Sequence, residues 1–257
     1  MKKLRLQGLL LNLLFLIGFL IAWEVFTGFY NSVLIPSPAG TARATVELLF
    51  EAQTWESFWL SNQSLAIGFV LAVSVGVVVG LIIGRVAWME KVLDPWLGFL
   101  LVLPMSMLMP IIIMTLGFSL TARVLVVFLF SVPVIIVNTR AGIREVPAEL
   151  IEMGRVFGAS ELDLWKQIFV KSAAPAMWTG FRSGLARAIT GMVLGELLLV
   201  AVGIGMLFQL FQGEFNPDRT FGLVALLIAE SLILLKVLRI VERRMVPWLQ
   251  VDKFENH

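Results

Sequence analysis

The chain has 257 residues, of which 59% are hydrophobic and only 15% charged, with a mean hydropathy of +0.92. Soluble domains carry about 25% charged residues, so there is too little polar surface here to coat a water-soluble globule. The net charge of +2 comes from short basic blocks between apolar runs, a pattern of membrane orientation rather than nucleic-acid binding. Cysteine is absent and the lone histidine is His257, which leaves no disulfide, no thiolate metal site and no histidine-centred acid–base constellation.

Six apolar runs approach the roughly 20 residues that a helix needs to cross a bilayer. They lie at about 8–28, 63–84, 93–117, 123–138, 176–200 and 221–239. Lys2, Lys3 and Arg5 before the first run give it the look of a signal peptide. The run continues to Gly28 without a small-x-small cleavage site and is read as a retained first helix. Pro104 and Pro110 inside the third run predict a kink or break there. The fourth run is short.

The connections alternate in basic content. The N-terminus is basic, and 30–62 has Arg43 alone against Glu47, Glu51 and Glu56. Arg85 and Lys91 follow the second run, and Arg123 alone marks the next connection. The long segment 139–175 holds Arg140, Arg144, Arg155, Lys166 and Lys171, and Arg219 stands between the last two runs. The C-terminal stretch carries Lys236, Arg239, Arg243, Arg244 and Lys253. Basic connections stay cytoplasmic, so the pattern predicts an all-α membrane protein of six spans with both termini in the cytoplasm, built as one domain over 1–257. Gly76, Gly80 and Gly84, then Gly180 with Gly184 and Gly191 with Gly195, repeat at four-residue spacing. Such spacing lets helices approach closely in lipid, either inside the bundle or between two copies.

The segment 140–175 is more than a connector. Pro147 suits the first turn of a helix, with Ala148, Leu150, Ile151, Met153 and Val156 as its apolar stripe and Gly158 as its stop. A second short amphipathic helix is expected next, with Leu162, Trp165, Ile168 and Phe169 apolar.

This loop resembles the cytoplasmic loop of ABC importer permeases, whose pattern is Glu-Ala-Ala, three residues, Gly, nine residues, then Ile-x-Leu-Pro. Glu152, Gly158, Ala159-Ser160 and Ile168 fall in place, while Met153, Gly154, Val170 and Lys171 depart from it. Leu34-Ile-Pro-Ser-Pro38, Asp94-Pro95, Pro104, Pro110, Gly117, Arg187, Glu196, Gly203-Ile-Gly205 and Glu242-Arg243-Arg244 are similar to the nitrate/sulfonate/taurine branch. The resemblance covers about 33–244.

The resemblance implies the type I importer fold, a bacterial inner-membrane location, and a pathway formed by two copies, expected as a homodimer in lipid. It also implies two ATPase subunits below and a periplasmic or lipid-anchored binding protein above. Glu152, Gly154, Phe157, Gly158, Ala159 and Ser160 would form the coupling segment against the ATPase. The chain lacks a Gly-x-x-x-x-Gly-Lys-Ser/Thr phosphate loop, so ATP and Mg²⁺ are expected on the partner, with no cofactor, metal or catalytic residue here.

Charges within spans cost about 2.5–3.5 kcal/mol each near the centre on insertion scales. Arg182 and Arg187 in the fifth run and Glu230 in the sixth are of this kind. Arg187 and Glu230 can pair structurally, or Arg187 can face the pathway and draw in an anionic solute. Glu196 is expected near the outer face, at a gate or binding-protein contact, and Ser106 and Asn138 are further pathway candidates. An ATP-independent transporter or channel would favour an internal repeat, and none is evident; an intramembrane enzyme would need a nucleophile–base pair, also not evident.

Overall fold

The computed structural model describes residues 2–30, 35–199 and 202–247. In chain order the helices are α1 (Lys2–Tyr30), α2 (Pro38–Leu49), α3 (Ala52–Arg85), α4 (Ala87–Val102), a 3₁₀ turn (Met105–Leu108), α5 (Met109–Leu116) and α6 (Leu120–Arg144). Then come α7 (Ala148–Val156), the single turn α8 (Glu161–Asp163), a π-helical stretch (Leu164–Phe169), α9 (Val170–Leu199), α10 (Ile204–Gly213) and α11 (Pro217–Met245). The described residues are all-helical, with no strand among them.

Among the described residues, three helices are long and apolar enough to cross a membrane: α3, α6 and α11. The α4–α5 pair is a fourth candidate bent by 90°. The bend is the break expected from Pro104 and Pro110. Leu103 ends α4, and Met105–Leu108 winds as a 3₁₀ turn before Pro110 sits in the first turn of α5. Proline there removes an amide and blocks the carbonyl four residues back.

The glycines settle their own question. On α3, Gly68, Gly76, Gly80 and Gly84 face Val127, Ile135, Thr139 and Ile143 of α6 in the same order, so the two helices run parallel. On α9, Gly180, Gly184, Gly191 and Gly195 face Asn138, Ile135, Phe130 and Val126 of α6 in reverse order, so that pair is antiparallel. A Cβ at Gly80 would stand 2.6 Å from the Thr139 Cβ, and one at Gly184 2.7 Å from Ile135 Cγ1. The repeats are internal packing, holding α6 between two flat faces.

Four boundaries differ from the sequence reading. Helix α3 starts eleven residues before the apolar run, because Thr54, Ser57 and Ser61 are polar yet buried against neighbouring helices. The 30–62 connection contains α2, whose Ser37 side chain caps the Gly40 amide with Pro38 in the first turn. A further helix, α10, follows Gly203. The expected second loop helix is not separate. The chain passes from α8 through the π stretch straight into α9, with the Val170 amide bonding Trp165 O and Pro175 carried inside the helix.

The connections sort to two ends of the bundle. At one end Arg123 Nη1 donates to Leu60 O, Arg219 pairs with Glu51, and Trp23 Nε1 donates to Pro36 O. At the other Arg140 pairs with Asp94, Arg144 with Glu90, and Arg85 lies 4.9 Å over the Phe169 ring. The segments read as lying on one side of the membrane thus gather at one end. The last basic residue named above, Lys253, and His257 lie outside the described residues, as do 31–34 and 200–201.

Candidate coupling surface and translocation face

Helix α7 buries none of its residues. Its inner side is fixed by Gly154, where a Cβ would come within 2.7 Å of Leu164 and 2.9 Å of Ile168 in the π stretch. Its outer side presents Leu150, Met153, Val156 and Phe157, the last two more than four-fifths exposed. Glu152 is exposed beside them. Apolar residues this open on a nine-residue helix form a surface built for contact.

The turn after α7 is set by hydrogen bonds. The Gly158 amide donates to Arg155 O at 3.0 Å and the Ala159 amide to Gly154 O at 2.9 Å, with Gly158 at φ +78°. This is a Schellman stop, and its left-handed residue favours glycine. Nothing lies within 4 Å of a Cβ placed at Gly158, so backbone conformation alone selects glycine there. Ser160 then starts α8 with a capping box: its hydroxyl accepts from the Asp163 amide at 3.2 Å, and its own amide donates to Asp163 Oδ2 at 3.1 Å. The Ser160 hydroxyl and amide hold the Asp163 carboxyl below its ordinary range. An exposed Arg155–Glu161 pair at 3.2 Å spans the turn.

The pathway candidates separate into distinct settings. Arg182 is held by Glu242 of α11 and by Thr179. Glu230 accepts from Asn62 of α3 and not from Arg187, so the Arg187–Glu230 pair is not formed. Asn138 bonds Val134 O and packs against Gly180. Glu196, expected near the outer face of the membrane, is 1% exposed and enclosed by α3, α6 and α10.

Arg187 and Ser106 are brought together. Both line a cavity of about 230 Å³ with Leu103, Pro104, Met105 and Pro133, between the α4–α5 break, α6 and α9. Irregular backbone at membrane depth is tolerated where it is enclosed by protein or lines a watered cavity. Among the described residues Arg187 has no ion-pair or hydrogen-bond partner, and it is exposed. Beside the glycine face, α9 exposes Thr179, Ser183, Arg187, Thr190 and Leu194 at three- and four-residue spacing. Ser183 and Thr190 were missed from sequence; their spacing to Arg187 was the available signal.

The comparisons with known proteins now decide the family. Residues 72–248 match the family described as the binding-protein-dependent transport system inner membrane component. The chain belongs to that family. It is an ABC transport permease by descent. The riboflavin transport system permease protein of Chloroflexus aurantiacus is 32% identical over 94% of this chain and 90% of its own length. The bicarbonate transport system permease protein of Synechococcus elongatus is 27% identical over 96% of this chain and 90% of its own. The putative aliphatic sulfonates permease protein of Bacillus subtilis is 25% identical, over 88% and 83%. Among solved structures, an inward-facing methionine ABC transporter, MetNI, gives a TM-score of 0.57 at 20% identity, covering 76% of this chain and 93% of that one. That likeness concerns the fold. As a permease, the chain is a transport component rather than an enzyme.

Proposed function

We propose that this permease is the membrane subunit of an ATP-driven importer, spanning the bacterial cytoplasmic membrane six times with both termini inside. Two copies, as a homodimer, form the pathway. A binding protein outside delivers a small anionic solute, and two ATPase subunits, which hold ATP and Mg²⁺, dock inside.

The observation that carries this reading is α7, a short helix that fully buries no residue and turns Leu150, Met153, Val156 and Phe157 outward. An amphipathic helix of this kind fits a groove on a partner. Gly154 locks it to the π stretch and thence to α9, so a push on α7 moves the helix that bears Arg187. The anionic solute is supported by the exposed stripe of α9. A guanidinium is always charged and presents a donor fork that fits carboxylates and other oxyanions. Arg187 and Ser106 both offer donors to one cavity. The riboflavin, bicarbonate and sulfonate names of the relatives span different solutes, so the cargo class rests on Arg187.

The test is purification in mild detergent from the native host, followed by uptake in vesicles with bicarbonate, an aliphatic sulfonate and riboflavin as probes. An ATPase subunit in equal amount and ATP-dependent uptake of an anion are expected. Arg187→Gln should lower that uptake by roughly tenfold, the scale of one charge-assisted hydrogen bond, without loss of the ATPase. A lone oligomer that moves solute without ATP would overturn the importer reading.

A further inference from the structure

At the end of the bundle away from α7, a buried carboxylate joins four helices. Glu196 Oε2 accepts from Ser61 Oγ at 2.6 Å, from the Ile204 amide at 3.1 Å and from the Gly205 amide at 3.3 Å. The last two are first-turn amides of α10, so the carboxylate sits where a helix N-terminus favours negative charge. Gly203 and Gly205 make room: a Cβ on Gly203 would come within 3 Å of both Glu196 carboxylate oxygens, and one on Gly205 within 3 Å of the Glu196 backbone oxygen. This explains why Glu196 and Gly203-Ile-Gly205 occur together.

Arg123 and Glu196 form a long ion pair that no hydrogen bond closes. Glu196 Oε1 accepts no hydrogen bond, and neither does the buried Nε of Arg123 donate one. Arg123 Nη1 stands 3.8 Å from that Oε1 while donating to Leu60 O at 3.1 Å. Buried groups left unpaired in this way call for a physical account. An approach of about 1 Å would bring Oε1 and the guanidinium into hydrogen-bond range, and a two-pronged pair, which takes both carboxylate oxygens, would draw Oε2 off the α10 amides. Behind α10 lies an open apolar groove of about 440 Å³ lined by Ile204, Gly205, Phe208, Leu227 and Ile228.

We propose that Glu196 is a two-position latch on α10. In the position seen here it holds the first turn of α10. In the other it swings to Arg123, frees the Ile204 and Gly205 amides, and lets α10 tilt about Gly203 to open that end of the pathway. Glu196 is then a positioning residue for transport that does not touch solute. The proposal rests on the importer reading for its place in the cycle.

The chain has no cysteine, so spin labels go only to Met206→Cys on α10 and Trp59→Cys on α3, both exposed positions, and diluting labelled with unlabelled chain isolates the one distance within a single copy of the homodimer. In the purified complex, two distances are expected whose balance shifts between nucleotide-free and ATP–vanadate-trapped states. Glu196→Gln keeps an acceptor for Ser61 and α10 but loses the charge that draws Arg123. It should collapse the pair to the nucleotide-free distance and cut uptake by roughly tenfold or more, with the ATPase still bound. Arg123→Gln should do the same. One distance unchanged by nucleotide, or wild-type uptake by Glu196→Gln, would overturn the latch. Should the variants fail to fold, the unsubstituted residues 123 and 196 in the doubly labelled chain still decide it. A missing ATPase would defeat the importer reading instead, and the label distances in the detergent-solubilised chain would then judge the latch, two populations upholding it and one rejecting it.

Discussion

Helix α6 and helix α7 follow each other in the chain and solve opposite problems. Helix α6 is closed off: α3 and α9 lay glycine faces on it, and Val126, Val127, Ile135 and Thr139 are almost wholly buried. Helix α7 is left open, with Gly154 and a half-buried Ile151 behind it and Leu150, Met153 and Val156 outward. Small residues serve both, for different reasons. In the bundle they permit close approach of backbones without a hydrophobic driving force. In the loop, Gly158 permits a left-handed turn in free space. The contrast teaches that one helix is finished within the chain and the other is left open by it.

The largest effect is expected where the closed helix is forced apart. Gly80→Leu would drive a side chain into Thr139 and the Ile136 carbonyl. Overpacking typically costs about 1–3 kcal/mol and more where backbone must move, so loss of monodisperse protein on size-exclusion chromatography should follow. Normal yield and melting temperature would break the account of α6. Next comes Gly158→Val. A β-branched residue in the left-handed region is strained by about 1–2 kcal/mol, and α7 should tilt. Retained insertion with ATP hydrolysis uncoupled from uptake is expected, and coupled uptake at the normal rate would break the lever.

Phe157→Asp should leave the isolated chain's melting within about 0.5 kcal/mol, as for most exposed substitutions, yet abolish co-purification of the ATPase. A lower melting temperature instead would mean that Phe157 packs within the chain. The smallest effect concerns acid. The Asp163 carboxyl is held below its ordinary value of 3.8 by Ser160. A lowered value means that its contribution is complete above 3.8 and fades as pH falls through the lowered value. Melting of α8 should therefore be flat from neutrality to about pH 4 and weaken below, and Asp163→Asn should remove that acid-dependent part.

In the loop, the start and stop of α7 were legible in sequence, while the second helix expected there runs on into α9. Pro147, Gly158 and Ser160 act locally, through φ, a Schellman turn and a capping box, and local chemistry needs no distant partner. The break at Pro104 and Pro110 was legible for the same reason. Arg187 beside Ser106 was half legible, since both were singled out but their shared cavity joins positions eighty residues apart. Helix α2 had a local signal in Ser37-Pro38 that the apolar scan passed over. The start of α3 had none, because Thr54, Ser57 and Ser61 read as polar loop until burial against other helices is known.

By itself, then, the sequence determined the membrane class, the basic alternation of the connections and the stop of α7, all of which follow from composition or from neighbours within a turn. Tertiary structure alone decided the rest. It turned the glycines onto α6, gave Glu230 to Asn62 and Arg182 to Glu242, left Arg187 unpaired, and buried Glu196 against the first turn of α10. A buried charge takes whichever partner the packing of helices brings within about 3 Å, and that distance is fixed by side chains far apart in the chain.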